Sequence, residues 1–473
     1  MPLARRDLID LFGRACDLGN GALFVGAGLS MGASLPSWGE LLEEPRAESE
    51  VPAIEDLPLM AEYVLSEGRY SRSRLEQHIL EVTAAAQATA TPAMEHLVRL
   101  PVDQIWTTNY DPLIERTDPQ RGVRVIASDD DVRLIGTSAR SIVKMHGSVT
   151  ATTPATWLSP PVITRTDYES YETEHPRMWA LLRAVYLSRT MLFLGFSFSD
   201  PNIEVLQRLA RLSGTATQDR HAAVLTRPAD DGTDNRRRHE LRVRDLEASG
   251  VLVHEIDDHA ELTEILSDLV RRTRKSRLFV AGSNSEEDPE PDFEQFTDAL
   301  ARELVDRAGW ETASLGGHAG WNVTRSLGAL RRAEETYDPS KLVLHYRRKE
   351  GEAPPATLDE RVGTAVFSDL DRKPLVQGVL DECRAVVVVR GGSRTSEEIE
   401  WALGYGAGVV PIASSGGAAH EYWQRHRGAP PDLGGQPTDI EEWDRLNSPE
   451  SAIAARAAAR LLDQAMYHHP TGI

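Results

Sequence analysis

The chain has 473 residues, of which 41% are hydrophobic, and its 52 Lys and Arg against 73 Asp and Glu give a formal net charge of −21. This length exceeds what one ordinary hydrophobic core organises, so we expect two or three domains. An acidic surface repels phosphate backbones and anionic lipids, which argues against nucleic acid and membranes as partners. Without an apolar run of membrane-spanning length or a signal-peptide pattern, the expected location is cytoplasmic.

The chain contains two cysteines, Cys16 and Cys383. They lie far apart in the sequence, so they predict neither a disulfide framework nor a Cys-rich zinc site. We therefore expect two reduced thiols and no metal.

Apolar strands alternate with helical segments through the first part of the chain. The predicted strands are 22–25, 104–107, 141–145, 190–196, 221–225 and 251–255. Asp200-Pro201 is a helix-start signal, and its helix is predicted to run through residues 202–212. A helix at 260–272 ends this part, and the alternation is typical of a parallel sheet with crossover helices.

A basic segment at 271–277 marks the predicted domain boundary, after which a second alternation begins. Its predicted strands are 278–281, 312–315, 342–346, 385–389 and 409–412, and its predicted helices include 293–308, 370–382 and 449–467. We therefore predict an α/β fold class with two Rossmann-like domains, at 1–273 and 276–473.

Each predicted domain contains a glycine turn directly after a buried strand. The first is Gly26-Ala27-Gly28 and the second is Gly391-Gly392, which follows a run of four valines. A glycine turn lets backbone N–H groups and a helix N-terminus approach a phosphate. The two turns predict two nucleotide sites, one that processes a nucleotide and one that senses another.

Four motifs of the first domain resemble the catalytic core of the sirtuins, in the same order along the chain. They are Gly26-Ala27-Gly28-Leu29-Ser30, Thr107-Thr108-Asn109-Tyr110-Asp111, Lys144-Met145-His146-Gly147-Ser148 and Leu194-Gly195-Phe196-Ser197-Phe198-Ser199-Asp200. Each motif alone is a weak signal, whereas the ordered set is a strong one. The resemblance implies a sirtuin-like parallel sheet with NAD⁺ as its substrate.

The resemblance also implies roles for single residues. The implied catalytic residues are Asn109 and Asp111, beside the reactive ribose, and His146, as the general base. The implied NAD-binding residues are Gly26, Ala27, Gly28, Ser30, Asn109, Asp111, His146, Gly195 and Ser197. These residue types suit the chemistry, because cleavage of the nicotinamide–ribose bond builds positive charge on the sugar and histidine titrates near neutrality.

The chain departs from the deacylating sirtuins because it lacks their four zinc-binding cysteines. Peptide deacylation is therefore in doubt, and water is the remaining nucleophile, so NAD⁺ hydrolysis is the favoured reaction. Two alternatives stay open: a protein deacylase or ADP-ribosyltransferase, and a nucleotide sensor that binds without hydrolysis.

The second domain resembles the SLOG superfamily, whose members carry a Pro-Gly-Gly-x-Gly-Thr-x-x-Glu signature after an Arg-Lys pair. Here Arg390 stands at the proline position and Arg394 at that of the third glycine. The resemblance implies a doubly wound sheet and a signal-binding pocket formed by Gly282, Ser283, Gly316, Gly317, Arg372, Arg390, Gly391, Gly392, Thr395 and Glu398. Phosphoribohydrolase activity is a further option, since Arg372 and Glu398 are retained.

A sirtuin-like domain followed by a SLOG domain resembles the NADase effectors of the Thoeris antiphage systems. That resemblance implies activation by a cyclic ADP-ribose isomer, which a TIR-domain partner protein makes upon infection. It also implies a homotetramer, with stacking into filaments on activation as an open option. An activator of this kind must bind the active arrangement more tightly than the resting one.

Overall fold

The computed structural model describes residues 3–84, 88–118, 122–198, 200–205, 207, 221–229, 233–284, 292–348 and 356–467. The chain divides into two compact units, Met1–Thr273 and Arg274–Ile473, and the division falls inside the basic segment 271–277. Each unit contains a parallel sheet, so the predicted α/β fold class is confirmed. Within the described ranges, no helix has the length and apolar character that a membrane crossing requires.

The sheet of the first unit has seven strands in the order β3-β4-β2-β1-β7-β8-β9, and all its pairings are parallel. The strands of this unit are β1 (Gly21–Val25), β2 (Gln104–Thr107), β3 (Val123–Ile126), β4 (Arg140–Lys144), β5 (Ser148–Val149), β6 (Trp157–Ser159), β7 (Thr190–Leu194), β8 (His221–Thr226) and β9 (Val251–Ile256). Strands β5 and β6 form a separate antiparallel pair. The chain adds strands first on one side of β1 and then on the other, which places a topological switch point between β1 and β7.

Helices surround this sheet, and buried apolar side chains pack between them and the strands. The α-helices are Arg5–Asp17, Ala27–Met31, Trp38–Glu48, Leu57–Ser66, Arg72–Thr83, Pro92–Leu97, Leu113–Thr117, Arg165–Glu174, Pro176–Ser188, Asn235–Ala248 and His259–Thr273, and residues 201–205 are also helical. One core joins Phe24, Trp106 and Phe193 on the central strands. Another packs the helices between β1 and β2 against Tyr110 and Ile163.

The sheet of the second unit has six parallel strands in the order β13-β12-β11-β10-β14-β15. They are β10 (Arg277–Ala281), β11 (Glu311–Ser314), β12 (Leu342–Arg347), β13 (Thr364–Ser368), β14 (Ala385–Val389) and β15 (Gly408–Ile412). Its α-helices are Phe293–Leu304, His318–Ala333, Arg372–Asp381, Ser393–Gly404, Gly417–His426, Ile440–Arg445 and Ser451–Ala465. The switch point here lies between β10 and β14, and both strands are fully buried.

Every predicted strand is present, with ends that differ by one to two residues in most cases. The strand predicted at 190–196 ends at Leu194, because Gly195 has a φ of +59° and turns the chain. The edge strands β3 and β13 were not predicted, since both are partly exposed and lack the apolar runs of the central strands. The helix predicted at 202–212 is helical at 202–205, and 208–212 lie outside the described residues.

Candidate active site

The glycine turn after β1 packs directly on the turn after β7. Gly28 N–H donates to the Gly195 carbonyl at 2.9 Å, and a Cβ atom on Gly26 would lie 2.5 Å from that same oxygen. A Cβ atom on Gly28 would lie 2.8 Å from Gly195 Cα. Glycine is therefore required here so that the two turns can touch at the switch point of the sheet.

A cavity of about 1170 Å³ opens at this edge of the first unit's sheet. The predicted NAD-binding residues that line it are Ala27, Gly28, Ser30, Asn109, Asp111, His146, Gly195 and Ser197. Gly26 does not line the cavity, and instead its carbonyl accepts a hydrogen bond from Asn109 Nδ2 at 3.1 Å. Residues from four separated motifs thus meet in one cavity, whose volume is sufficient for a dinucleotide.

Asn109, Ser30 and Asp111 form one hydrogen-bond network. Asn109 Nδ2 donates to Ser30 Oγ at 3.2 Å as well as to Gly26, and Ser30 Oγ donates to Asp111 Oδ2 at 3.0 Å. The other carboxylate oxygen of Asp111 accepts from Leu113 N at 3.1 Å. Because both N–H donors of the Asn109 amide are used, its oxygen is the atom that can accept from a bound hydroxyl or water.

A buried ion pair holds the loop that carries Asn109 and Asp111. Lys144 Nζ lies 2.7 Å from Glu115 Oε1, and it donates to the carbonyl oxygens of Tyr110 and Asp111. Burial raises the pKa of Glu115, and the adjacent Lys144 opposes that rise. Removing either partner would leave an uncompensated charge in the interior, so the pair fixes the loop's position.

His146 is buried, with 3% of its surface exposed, and it lines the same cavity. Its Nε2 lies 3.2 Å from Asp200 Oδ2, and its Nδ1 lies 3.4 Å from the Tyr168 hydroxyl. The Tyr168 ring also packs edge-on against the imidazole at 5.0 Å between centroids. Burial lowers the pKa of His146, with Asp200 acting in the opposite direction, so the neutral base is the favoured form near pH 7.

Glycine turns also meet at the switch point of the second unit. Gly282 has a φ of +123°, and a Cβ atom there would collide with the carbonyl oxygen of Val389, at the end of β14. Gly391 N–H donates to the Ser283 carbonyl at 3.1 Å. Gly317, at the N-terminus of the helix His318–Ala333, lies close to Gly282, with 3.7 Å between its built Cβ and the Gly282 oxygen.

Most of the remaining residues of the predicted signal pocket lie in the turn after β14 or in the helix that follows it, and Gly316 follows β11. Arg390 has a φ of +56°, which the fixed ring of proline cannot adopt, and this explains why proline is absent there. Gly391 has a φ of +90° and packs on the buried Thr395, and Gly392 is the N-cap of the helix Ser393–Gly404. Gly316, with a φ of +68°, packs on the Tyr346 ring.

Arg372 is engaged with acidic side chains of the helix Ser393–Gly404. Its guanidinium lies 2.6 Å from Glu397 Oε2 and 2.8 Å from Glu398 Oε1, and it donates to the Arg394 carbonyl. Burial raises the pKa of Glu398, which Arg372 opposes. An anion that binds Arg372 must therefore compete with these two carboxylates.

Sequence reasoning missed several groups around His146 and Asn109. It assigned Asp200 only to a helix start, although that residue stands in a quoted motif, and it gave Lys144 no role. Tyr168 and Glu115 belong to no sequence motif that indicates a role in the site. Their helices pack beside the site only in the folded chain. Among the described residues, no group of three or more His, Cys, Asp or Glu side chains is arranged to hold a metal, and both cysteines are buried thiols.

Comparisons with known proteins relate this chain to SIR2-like proteins. Residues 103–248 match the family model of the SIR2-like domain. The NAD(+) hydrolase ThsA of Enterococcus faecium is 31% identical over 298 residues, which are 59% of this chain and 61% of that protein, less than two thirds of its length. The protein of the same name from Bacillus cereus is 28% identical over 427 residues, covering 86% of each chain. Defense-associated sirtuin 2 of Bacillus subtilis is 25% identical over 41% of this chain and 19% of its own length.

Proposed function

Because this chain is ThsA-like over most of its length and its first unit carries a SIR2-like domain, we propose that it hydrolyses NAD⁺ to nicotinamide and ADP-ribose. The observation that carries the proposal is the meeting of Asn109, Asp111 and His146 in one cavity beside a glycine turn. A dinucleotide in that cavity would have its pyrophosphate at the turn and its nicotinamide ribose near His146.

In the proposed reaction, the bond between C1′ of the ribose and the nicotinamide nitrogen breaks, and the bonding electrons leave with nicotinamide. Water then adds to C1′ and loses a proton. The amide oxygen of Asn109 accepts from a ribose hydroxyl or from that water, and the neutral imidazole of His146 takes a proton. Asp111 uses both carboxylate oxygens within the protein, so its role here is to hold the loop and to supply negative charge near the developing cation.

The test is to incubate the purified full chain with NAD⁺, with and without individual cyclic ADP-ribose isomers, and to quantify nicotinamide and ADP-ribose by chromatography. We expect both products in equal amounts, and no consumption of an acetyl-lysine peptide added to the reaction. Acetylated ADP-ribose together with deacetylated peptide would identify a deacylase instead. Binding of NAD⁺ without turnover in the presence of each isomer would favour the non-catalytic sensor.

We further propose that the second unit is a SLOG sensor for a cyclic ADP-ribose isomer, supplied by a TIR-domain protein. The glycine turns at β10 and β14 support this, because a glycine turn before a helix N-terminus lets a phosphate approach the backbone. The Arg372 guanidinium would add a forked cation once the phosphate displaces Glu397 or Glu398 from it. The implied role is depletion of NAD⁺ in antiphage defence in the cytoplasm, by a homotetramer that forms filaments if stacking accompanies activation.

The sensor proposal is tested by titrating NAD⁺ hydrolysis against individual cyclic ADP-ribose isomers, with binding to the full chain measured by calorimetry. We expect one isomer to bind and to activate. Release of a free base from nucleoside monophosphates would instead indicate phosphoribohydrolase activity in the second unit. If the chain hydrolyses NAD⁺ but binds no isomer, the sensor proposal for the second unit is wrong and the hydrolase proposal for the first unit stands.

A further inference from the structure

Asp200 caps a helix and also lies beside His146, and the capping contacts alone do not explain this second position. The residue is 8% exposed, and its Oδ1 accepts hydrogen bonds from Asn202 N at 2.9 Å and Ile203 N at 3.3 Å. These contacts satisfy the cap with one oxygen. The second oxygen, Oδ2, faces His146 Nε2 at 3.2 Å, and both residues line the cavity.

The approach of these two groups is not a hydrogen bond. Within the part of the chain that the structure describes, His146 Nε2 is a buried polar atom without a partner of hydrogen-bond geometry, so the ring does not direct an N–H at the carboxylate. Tyr168 fixes the ring from the other side, through its hydroxyl near Nδ1 and its edge-on packing. A buried polar atom without a partner is costly, and His146 Nε2 therefore lacks the donor it needs.

A bound ribose would supply a donor to His146 Nε2 and could supply a second one to Asp200 Oδ2, 3.2 Å away. Its two hydroxyls are cis on neighbouring carbons, so two acceptors about one hydrogen-bond length apart can each take one of them. On the basis of the proposed function, we propose that Asp200 is a catalytic residue that binds one hydroxyl of the nicotinamide ribose while His146 binds the other.

Such a contact assists bond cleavage as well as binding. A hydroxyl that donates to a carboxylate becomes more electron-rich, and hydrogen bonds to sugar hydroxyls strengthen when the ring takes on oxocarbenium character. The fixed negative charge of Asp200 would also lie near the developing cation. The burial of Asp200 increases both effects, because charges interact more strongly at lower dielectric.

The test compares the wild type with Asp200→Asn on NAD⁺ and on its two monodeoxy analogues, which lack the 2′ or the 3′ hydroxyl of the nicotinamide ribose. Asparagine retains an oxygen for the helix cap, so the fold is expected to persist and is checked by circular dichroism. Glu174→Gln, which removes an exposed carboxylate outside the cavity, is the control for net charge. All assays use the full chain with the cyclic ADP-ribose isomers present.

On NAD⁺ we expect Asp200→Asn to lower kcat/KM by about 10- to 100-fold, and Glu174→Gln to leave it unchanged. On one of the two analogues, kcat/KM of the wild type divided by kcat/KM of Asp200→Asn should fall to near one. The hydroxyl that Asp200 binds is already missing from that analogue. An equal ratio on all three substrates would overturn the assignment, as would wild-type activity of Asp200→Asn on NAD⁺. A wild type that converts no NAD⁺ would overturn the proposed function first.

Discussion

The two switch points of this chain share a backbone design and differ in their side chains. At each one, a glycine turn after a central strand packs against the backbone of a neighbouring strand end, through Gly26 and Gly195 in the first unit and Gly282 and Val389 in the second. In the first unit the side chains around the turns are hydrogen-bonding acceptors and a neutral base. In the second they are a guanidinium held between carboxylates.

This difference indicates how one fold class can serve two purposes. Bond cleavage at a ribose needs acceptors and a base held near the sugar, which His146 and the Asn109 network provide. Recognition of an anion needs a directional cation, which Arg372 provides, and no base is required. The two units thus share the backbone geometry of their glycine turns, and the side chains separate the proposed cleavage from the proposed sensing.

The largest expected effect comes from removing the base or the amide of the first site. His146→Ala and Asn109→Ala should each lower NAD⁺ hydrolysis by about two to four orders of magnitude, since a positioned general base contributes that much. Calorimetry with a cyclic ADP-ribose isomer should give unchanged binding in both variants. Turnover within a few-fold of the wild type would contradict the catalytic roles of His146 and Asn109. The proposed chemical difference between the two switch points would then have no support.

The sequence predicted the parts of both sites that depend on short segments. The glycine turns, Asn109, Asp111 and His146 stand in compact motifs after apolar strands, and the structure brings those of the first unit into one cavity. Tyr168 and Glu115 could not be predicted, because they reach the site through helices whose packing no local pattern encodes. Arg372 was predicted as a signal-binding residue, but its ion pairs with Glu397 and Glu398 could not be, because they depend on how two helices pack.

Acid should destabilise the first unit through a second buried histidine. His221 is 4% exposed, its Nδ1 accepts from Met191 N at 3.2 Å, and burial lowers its pKa to about 4. Between pH 6.5 and 4 the unfolded chain binds a proton that the folded unit excludes, so stability falls with pH, by about 3 kcal/mol at pH 4.

Hydrogen exchange followed by mass spectrometry can measure this loss in peptides from β1 and β7. The matched variant is His221→Asn, which keeps an acceptor near the position of Nδ1 and does not titrate. In this variant, the protection of the β1 and β7 amides against exchange should fall less between pH 6.5 and 4 than it does in the wild type. Identical losses in both proteins would exclude His221 as the cause.

The proposed sensor is tested next by removing its guanidinium. Arg372→Ala should weaken binding of the activating isomer by about 1.5–3 kcal/mol, the cost of one charge-assisted contact. The activation curve for NAD⁺ hydrolysis should shift to higher isomer concentration, with the maximal rate unchanged. Glu397→Gln is the matched variant, because it removes a carboxylate that competes for Arg372, and it should not weaken binding. An unchanged curve for Arg372→Ala would mean that the isomer binds elsewhere.

The smallest expected effect tests whether the fold itself, without a bound ligand, requires glycine at each turn. A Cβ atom on Gly26 would meet Gly195, and one on Gly282 would meet Val389 at a φ of +123°, so each alanine forces packed backbone apart. Each should destabilise its own unit by about 1–3 kcal/mol, as overpacking does in protein interiors. Gly309→Ala is the control, because Gly309 is exposed and its built Cβ meets no other part of the fold within 4 Å, and it should cost less than about 0.5 kcal/mol. Hydrogen exchange without nucleotide is measured in peptides from β1 for the first unit and from β10 for the second. Each alanine should lower protection against exchange in its own unit. Unchanged protection in both variants would mean that the fold does not require glycine at these turns.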